Sequence, residues 1–269
     1  MAINALQSAS SALSALNTAL DVTANNLANI NTDGFKASRA NFQDLLYLER
    51  AHPGTTNAND DQRPTGLYVG LGVRVSGTQV DFGQGAARNT GRSLDIMIEG
   101  EGFFQVGVEE GVGPGGLAFT RAGTLTLNAD GELVMANDQG RRLDPPVQIP
   151  PDAKSISIAT NGEVFVTQEG AVEPTQVGQI DVATFINPAG LKQVGENLFV
   201  ETSASGAPNL GEPGAEGRGS VKQGFLEASN VDPTRELIDL IRTQRGYEFN
   251  SQSIRAADES LRTVAQIRR

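Results

Sequence analysis

The chain of 269 residues has no cysteine, no tryptophan and a single histidine, His52. Without cysteine there are no disulfides and no thiolate metal sites, and the compartment stays open. Without tryptophan a sugar-binding platform is hard to build, and the lone His52 lies in a polar stretch suited to a structural or solvent role. Long apolar runs are missing too: none approaches the roughly 18 to 20 residues of a membrane span. The start, MAINALQSAS, carries no positive charge and its apolar residues are spaced, so a cleaved secretory signal is not expected. No Gly-x-Ser-x-Gly elbow, His-Glu-x-x-His pair or phosphate loop occurs. Gly70 and Gly72 resemble the opening of a dinucleotide fingerprint, but no third glycine follows at the right place. Asp95, Glu99 and Glu101 could be paired carboxylates of a glycoside-cleaving site, yet they read better as a solvated face. No catalytic, cofactor or metal site is expected.

Glycine and proline are scarce at both ends. No Gly precedes Gly34, no Pro precedes Pro53, and of 31 Gly only Gly246 lies outside 34–231. Charge is partitioned in a similar way. Residues 1–50 hold three basic and four acidic side chains, and 233–269 hold seven and five. The middle therefore carries 11 basic and 23 acidic groups, slightly more than the whole net charge of −11. An acidic middle argues against nucleic-acid binding.

The two ends share a heptad pattern. Leu6, Leu13, Leu20 and Leu27 recur every seven residues, and three places after each stands Ala9, Leu16, Thr23 or Ile30. Nothing interrupts a helix there, and about thirty residues give a rod of roughly 45 Å. Its other positions are mostly Ser, Ala, Thr and Asn, too little charge for a lone surface helix, so partners on more than one side are expected. The helix should end at Asn31-Thr-Asp-Gly34, with Gly34 in the left-handed position past the last turn. At the other end Asp232 and Pro233 are cap and first residue of a second helix. Leu240, Tyr247, Ile254 and Leu261 recur every seven residues within it, seconded by Leu237, Ala257 and Val264. Gly246 is a soft spot of about 1 kcal/mol against Ala.

Between the helices the periodicity is two. Phe35–Arg50 can form a short amphipathic segment with Phe42, Leu45, Leu46 and Leu48 on its apolar side. Leu67, Val69, Leu71, Val73 and Val75 alternate as a half-buried strand. Asp130-Gly131 and Asn161-Gly162 each stand between alternating runs, a strong hairpin signal, and strands follow at 180–186 and 197–200. Asn128, Asp130 and Gly131 mimic part of a calcium loop but lack its later bidentate Glu, so turn chemistry is preferred. Gly206–Gly219 reads as a loop. The fold class is α+β: N- and C-terminal helices paired as a coiled coil, enclosing an all-β middle domain.

The run Ala24-Asn-Asn-Leu-Ala-Asn-Ile-Asn-Thr-Asp-Gly-Phe-Lys36 resembles the N-terminal signature of the bacterial flagellar rod and hook proteins. Asn25, Asn26, Leu27, Asn29, Gly34, Phe35 and Lys36 carry that likeness. The run 244–251 with Ala257-Asp-Glu259 is similar to the family's C-terminal signature, where Gly246 departs towards a smaller residue. Length, the segment 67–106 and the stretch 46–65, which contains the polar, Pro-bounded run His52–Thr65, are closest to the distal-rod members, in which an insertion at that place goes with a stiff, straight tube.

The resemblance implies a terminal core of 1–36 with 230–269, a connecting segment 37–66 bearing the insertion, and a β-rich outer domain at 67–229. It implies a structural subunit, not an enzyme, exported without a cleaved signal through the flagellar type III apparatus. Many copies would polymerise helically into a hollow shaft across the periplasm. The implied partners are further copies, proximal-rod and hook proteins, and the periplasmic and outer-membrane ring proteins, with no nucleic acid and no membrane insertion. The implied assembly seam is Leu6, Leu13, Leu16, Leu20 and Leu27 with Leu240, Tyr247, Ile254, Leu261 and Val264. Another rod or hook-type axial protein, a secreted coiled-coil fibre and a β-domain glycosidase are the alternatives.

Overall fold

A computed structural model describes residues 2–56, 61–109, 111–168 and 173–267; the side chains at 2, 3, 264, 265 and 267 lie outside the description, Val264 of the expected seam among them. Two helices enclose a strand-rich middle, so the chain is α+β. It divides into two compact units: Met1–Ala28, Ser38–Val80 and Asp232–Arg269 form one, Asn29–Ala37 and Asp81–Val231 the other. The first carries 11 basic and 11 acidic side chains, the second 10 and 21, so the whole charge of −11 belongs to the second.

The helical unit contains α1 (Ala2–Ala28) and α2 (Pro233–Ile267). The Asp232 carboxylate accepts the backbone N–H groups of Thr234 (2.9 Å) and Arg235 (3.3 Å), satisfying two of the donors a helix start leaves open. α1 stops three residues before the expected end, at Ala28. The stretch expected as an amphipathic segment is instead two strands, β1 (Ser38–Asp44) and β2 (Tyr47–Ala51). The alternating run 67–75 is also two strands, β3 (Leu67–Gly70) and β4 (Val73–Val80), broken at Leu71-Gly72. β1 pairs antiparallel with β4, and β2 with β3, so the chain folds back on itself twice. The 46–65 stretch is an arm of this second pair. Beyond β2 the backbone bonds continue, Gly54 N–H to Arg63 O (2.9 Å) and Arg63 N–H to Thr55 O (3.0 Å), and 57–60 lie outside the described residues.

The break at Gly72 has a local cause. Its φ is +117°, and a Cβ there would stand 2.1 Å from the Ser11 hydroxyl oxygen and 3.2 Å from the Ser8 Cα. α1 therefore meets this strand pair almost backbone to backbone, over Ser8, Ser11 and the buried Ala15, and small side chains are what permit it. Here is one of the extra partners that the weakly charged helix required.

The second unit holds the hydrophobic core. Its main sheet has six strands, all antiparallel where paired, in the spatial order Lys192–Gly195, Leu198–Val200, Leu117–Thr120, Phe103–Gly107, Val182–Thr184 and Asn209–Gly211. A three-stranded sheet, Ala153–Ile158, Glu163–Gln168 and Thr175–Gln179, contains the Asn161-Gly162 hairpin. Asp130-Gly131 joins Leu125–Leu127 to Leu133–Met135. Ile96, Ile98, Phe104, Val106, Leu133, Val164 and Val182 are buried in one cluster, and Phe82, Phe103, Phe119, Phe185 and Phe199 interlock edge to face at 4.8–6.0 Å. Asn209–Gly211 places an edge strand inside the expected 206–219 loop. Of the three carboxylates considered for chemistry, Glu99 and Glu101 are exposed as expected. Asp95 is not solvated but buried, beside Arg92 at 3.8 Å.

Gly246 lies within α2, and a Cβ there would meet the Leu16 methyl groups at 3.4 and 3.6 Å, ordinary contact distances. Gly246→Ala is expected to raise the stability of the helical unit by about 1 kcal/mol. Thermal melting followed at 222 nm checks this; a lower melting temperature would mean that the helices need the glycine's space.

Candidate assembly surfaces

α1 and α2 lie side by side and antiparallel. The Asn26 amide donates to the Glu236 carboxylate (3.0 Å), and ten residues along each helix Leu16 meets Gly246, which fixes the register. On α1, Leu6, Leu13, Leu16, Leu20 and Leu27 are all half-buried and Ala9 is buried. On α2, Leu240 and Ile254 are half-buried, but Tyr247 and Leu261 are each 38% exposed and Leu237 46%. The half-buried positions described on α2 are Glu236, Leu240, Thr243, Gly246, Asn250, Ile254 and Ala257, in steps of three and four, with Ser251 beside them. Only Leu240 and Ile254 among them are large and apolar, so a search for apolar periodicity finds little of this face.

The rest of the apolar surface of α2 points elsewhere. At about 100° per residue, Leu237, Ile238, Ile241 and Phe249 fall on the side opposite the half-buried stripe. They are 44–64% exposed. Among the described residues α1 has no such second stripe: its exposed positions include Gln7, Ser10, Ser14, Asn17, Asp21 and Asn25. The arm formed by β2 and β3 is the other apolar surface of this unit, with Leu46 83%, Tyr47 57% and Leu67 55% exposed.

The signature run 24–36 serves both units. Asn26, 2% exposed, accepts the Ser38 N–H (2.9 Å), donates to the Ser38 carbonyl (2.7 Å), and reaches Glu236 as described. One side chain thus fixes the start of β1 and the first turn of α2 against α1. Burial raises the Glu236 carboxyl above its ordinary value, Asp239 and Asp232 add to the rise, and the Asn26 hydrogen bond opposes it. Leu27 ends the half-buried stripe of α1, and Asn25 is exposed.

In the second unit Asn29 accepts a hydrogen bond from the Thr32 hydroxyl (3.1 Å). Gly34 has φ +72°, but its purpose differs from a helix cap. A Cβ would stand 2.6 Å from the Ala122 backbone nitrogen, so glycine is required by close approach to Arg121-Ala122. Phe35 is half-buried and its carbonyl accepts the Asn230 N–H (3.4 Å).

Lys36 is wholly buried. Its ammonium donates to the Glu227 carboxylate (2.7 Å) and to the Gly83 carbonyl (2.9 Å), and the same carboxylate oxygen accepts the Gly85 N–H (2.8 Å). Arg121 stands 3.6 Å from the other Glu227 oxygen and donates to the Gly100 carbonyl (2.8 Å). Burial pushes both Lys36 and Arg121 below their ordinary values, against the attraction of Glu227. Two cations around one carboxylate in a dry site make a cluster that holds only while every member is present. The Lys36–Glu227 pairing spans 191 residues, and no local sequence signal announces it.

Among the described residues no cluster of acids and histidine could hold a metal ion, and no helix is long and apolar enough to cross a membrane. The helical unit is thus neutral and carries two exposed apolar faces, and the second unit is acidic with a core of its own.

Three family models match the chain in succession: the flagella basal body rod protein at 6–36, the D1 domain of the flagellar hook protein FlgE/F/G at 97–166, and the C-terminal region of the flagellar basal body rod FlgEFG proteins at 222–267. They mark the class of axial rod and hook proteins. Full-length relatives narrow it. The flagellar basal-body rod protein FlgG of Agrobacterium fabrum is 43% identical over 98% of this chain and 99% of its own length, and that of Borreliella burgdorferi 39% over 99% of each. In Bacillus subtilis the FlgG protein is 36% identical, against 31% for the hook-basal body complex protein FlhP. The chain belongs to the FlgG family of flagellar basal-body rod proteins, a structural family and not one of enzymes.

Two substitutions test the geometry. Lys36→Ala leaves Glu227 buried against fewer cations and is expected to destabilise the second unit by about 3–5 kcal/mol, seen as a fall in its melting temperature. Glu236→Gln keeps the oxygen that accepts from Asn26 and removes a half-buried charge. Because the folded carboxyl titrates above its ordinary value, its contribution to stability falls as pH rises through the interval between the two values. The Gln variant is therefore expected to melt higher than the parent at neutral pH, with the gain vanishing below about pH 4, where the parent is also uncharged. Melting curves at both pH values decide it.

Proposed function

We propose that the chain is a structural subunit of the distal flagellar rod, polymerising helically into the hollow shaft that crosses the periplasm and carries torque to the hook. The observation that carries this reading is α2, which has one stripe covered within the subunit and, on the opposite side, an apolar stripe left uncovered. An open helical assembly covers it in every copy, through a heterologous contact that repeats without closing. In this reading α1 and α2 pair as a coiled coil with Leu6, Leu13, Leu16, Leu20, Leu27, Leu240, Tyr247, Ile254, Leu261 and Val264 as its seam, and neighbouring copies cover Leu237, Ile238, Ile241 and Phe249. The domain division follows the family: a terminal core of 1–36 with 230–269, a connecting segment 37–66 and a β-rich outer domain at 67–229.

The remaining partners come from the same family likeness: proximal-rod and hook proteins at the ends of the shaft, ring proteins of the periplasm and outer membrane around the acidic unit, and the flagellar type III apparatus for export. The stretch 46–65 is the segment assigned to stiffening the tube. The work is mechanical: packing and lateral contacts transmit torque.

Cryo-electron tomography of a strain lacking the chain tests the assignment. Basal bodies that stop at a short rod, without outer rings or hook, are expected. A complete rod lacking only the hook would make this a hook-type axial protein, and intact flagella would contradict any flagellar role.

A further inference from the structure

The chain passes from one unit to the other at 28/29, 37/38, 80/81 and 231/232. Within the second unit, three of these passages meet on one side chain. The Asn230 carboxamide oxygen accepts the Ala37 N–H (2.7 Å), and its amide donates to the carbonyls of Asp81 (2.8 Å) and Gly83 (3.1 Å). Backbone bonds complete the lacing: Asp81 N–H to Ala37 O (2.8 Å) and Asn230 N–H to Phe35 O (3.4 Å). The Gly83 carbonyl also accepts from Lys36, so the lacing runs directly into the buried Lys36–Glu227 pair.

A carboxamide is the group that this place requires. It must accept from one strand and donate twice to another, and Asn does both on a short, stiff stem. A carboxylate could only accept, and a hydroxyl lacks the second donor. Load carried between the units by the covalent chain enters the second unit through these passages. Separate strands bend and slide independently under torsion, whereas strands cross-linked at one level deform together.

We propose that Asn230 is a positioning residue that clasps the passages at 35–37, 81–83 and 230 into a single load-bearing element. This role rests on the reading of the chain as a rod subunit. Its loss leaves both units folded but makes the passages compliant.

The test uses the full chain with Asn230→Ala, and Asn230→Asp as the variant that keeps the acceptor for Ala37 and loses both donors. Amide hydrogen exchange on the purified protein is expected to speed at least tenfold at Ala37, Asp81 and Asn230 in the Ala variant, with Phe104 and Val164 of the core unchanged. In cells carrying either variant as the only copy, rods should assemble and swimming in dilute medium should match the parent, while speed in viscous medium falls. A structural role alone would not separate the two loads. Unchanged exchange at Ala37 and Asp81, exchange raised throughout the core, or the same relative speed at both loads would overturn the clasp. If the parent chain fails to restore swimming to the deletion strain, the rod reading falls instead, and the exchange data still decide whether the clasp exists.

Discussion

The helical unit cannot cover its own apolar surface, and most of the molecule's character follows from that shortage. α1 is covered over a wide arc by α2 and by the pair β1 and β4, with small residues where backbones meet. α2 has a covered stripe that is half polar and an uncovered one that is apolar. A helix of 35 residues built this way gains little from folding within one subunit, because helix stability in water comes mainly from burying a face. Neutrality of the same unit, 11 charges of each sign, removes the long-range repulsion that would keep copies apart.

The second unit solves the opposite problem. Its sheets enclose a core of Ile, Val, Leu and Phe, so its stability does not wait for neighbours. Its surplus of acid groups keeps it soluble and discourages association of like with like. The signature run 24–36 is shared between the two economies. Asn26 ties strand and helix starts together in one, while Gly34 and Lys36 are seated in the other. A motif of this kind is long-range in its purpose although it is contiguous in the chain.

That division explains what could be read from the sequence. The Asp232-Pro233 cap, the Asp130-Gly131 and Asn161-Gly162 hairpins and the two heptad helices rest on local chemistry, and the structure has them where the pattern places them. The strands at 38–51 escaped because Phe42, Leu46 and Leu48 are exposed, so their spacing does not report a buried face. Glu236, Thr243 and Asn250 escaped because a half-buried stripe built from polar residues leaves no hydrophobic period. Gly34 fitted a helix cap by position, yet it is held to glycine by Ala122, far away in the chain. The Lys36–Glu227–Arg121 cluster depends on strand pairing across the whole middle, which no local window contains.

Hydrogen exchange of the isolated, full-length monomer measures the central claim directly. If the helical unit is completed only by neighbouring copies, amides of α1 and α2 should exchange orders of magnitude faster than those of the six-stranded sheet, and gain protection on assembly. Equal protection of helices and sheet in the monomer would contradict the account, since the helical unit would then be stable alone and its exposed apolar faces would need another explanation.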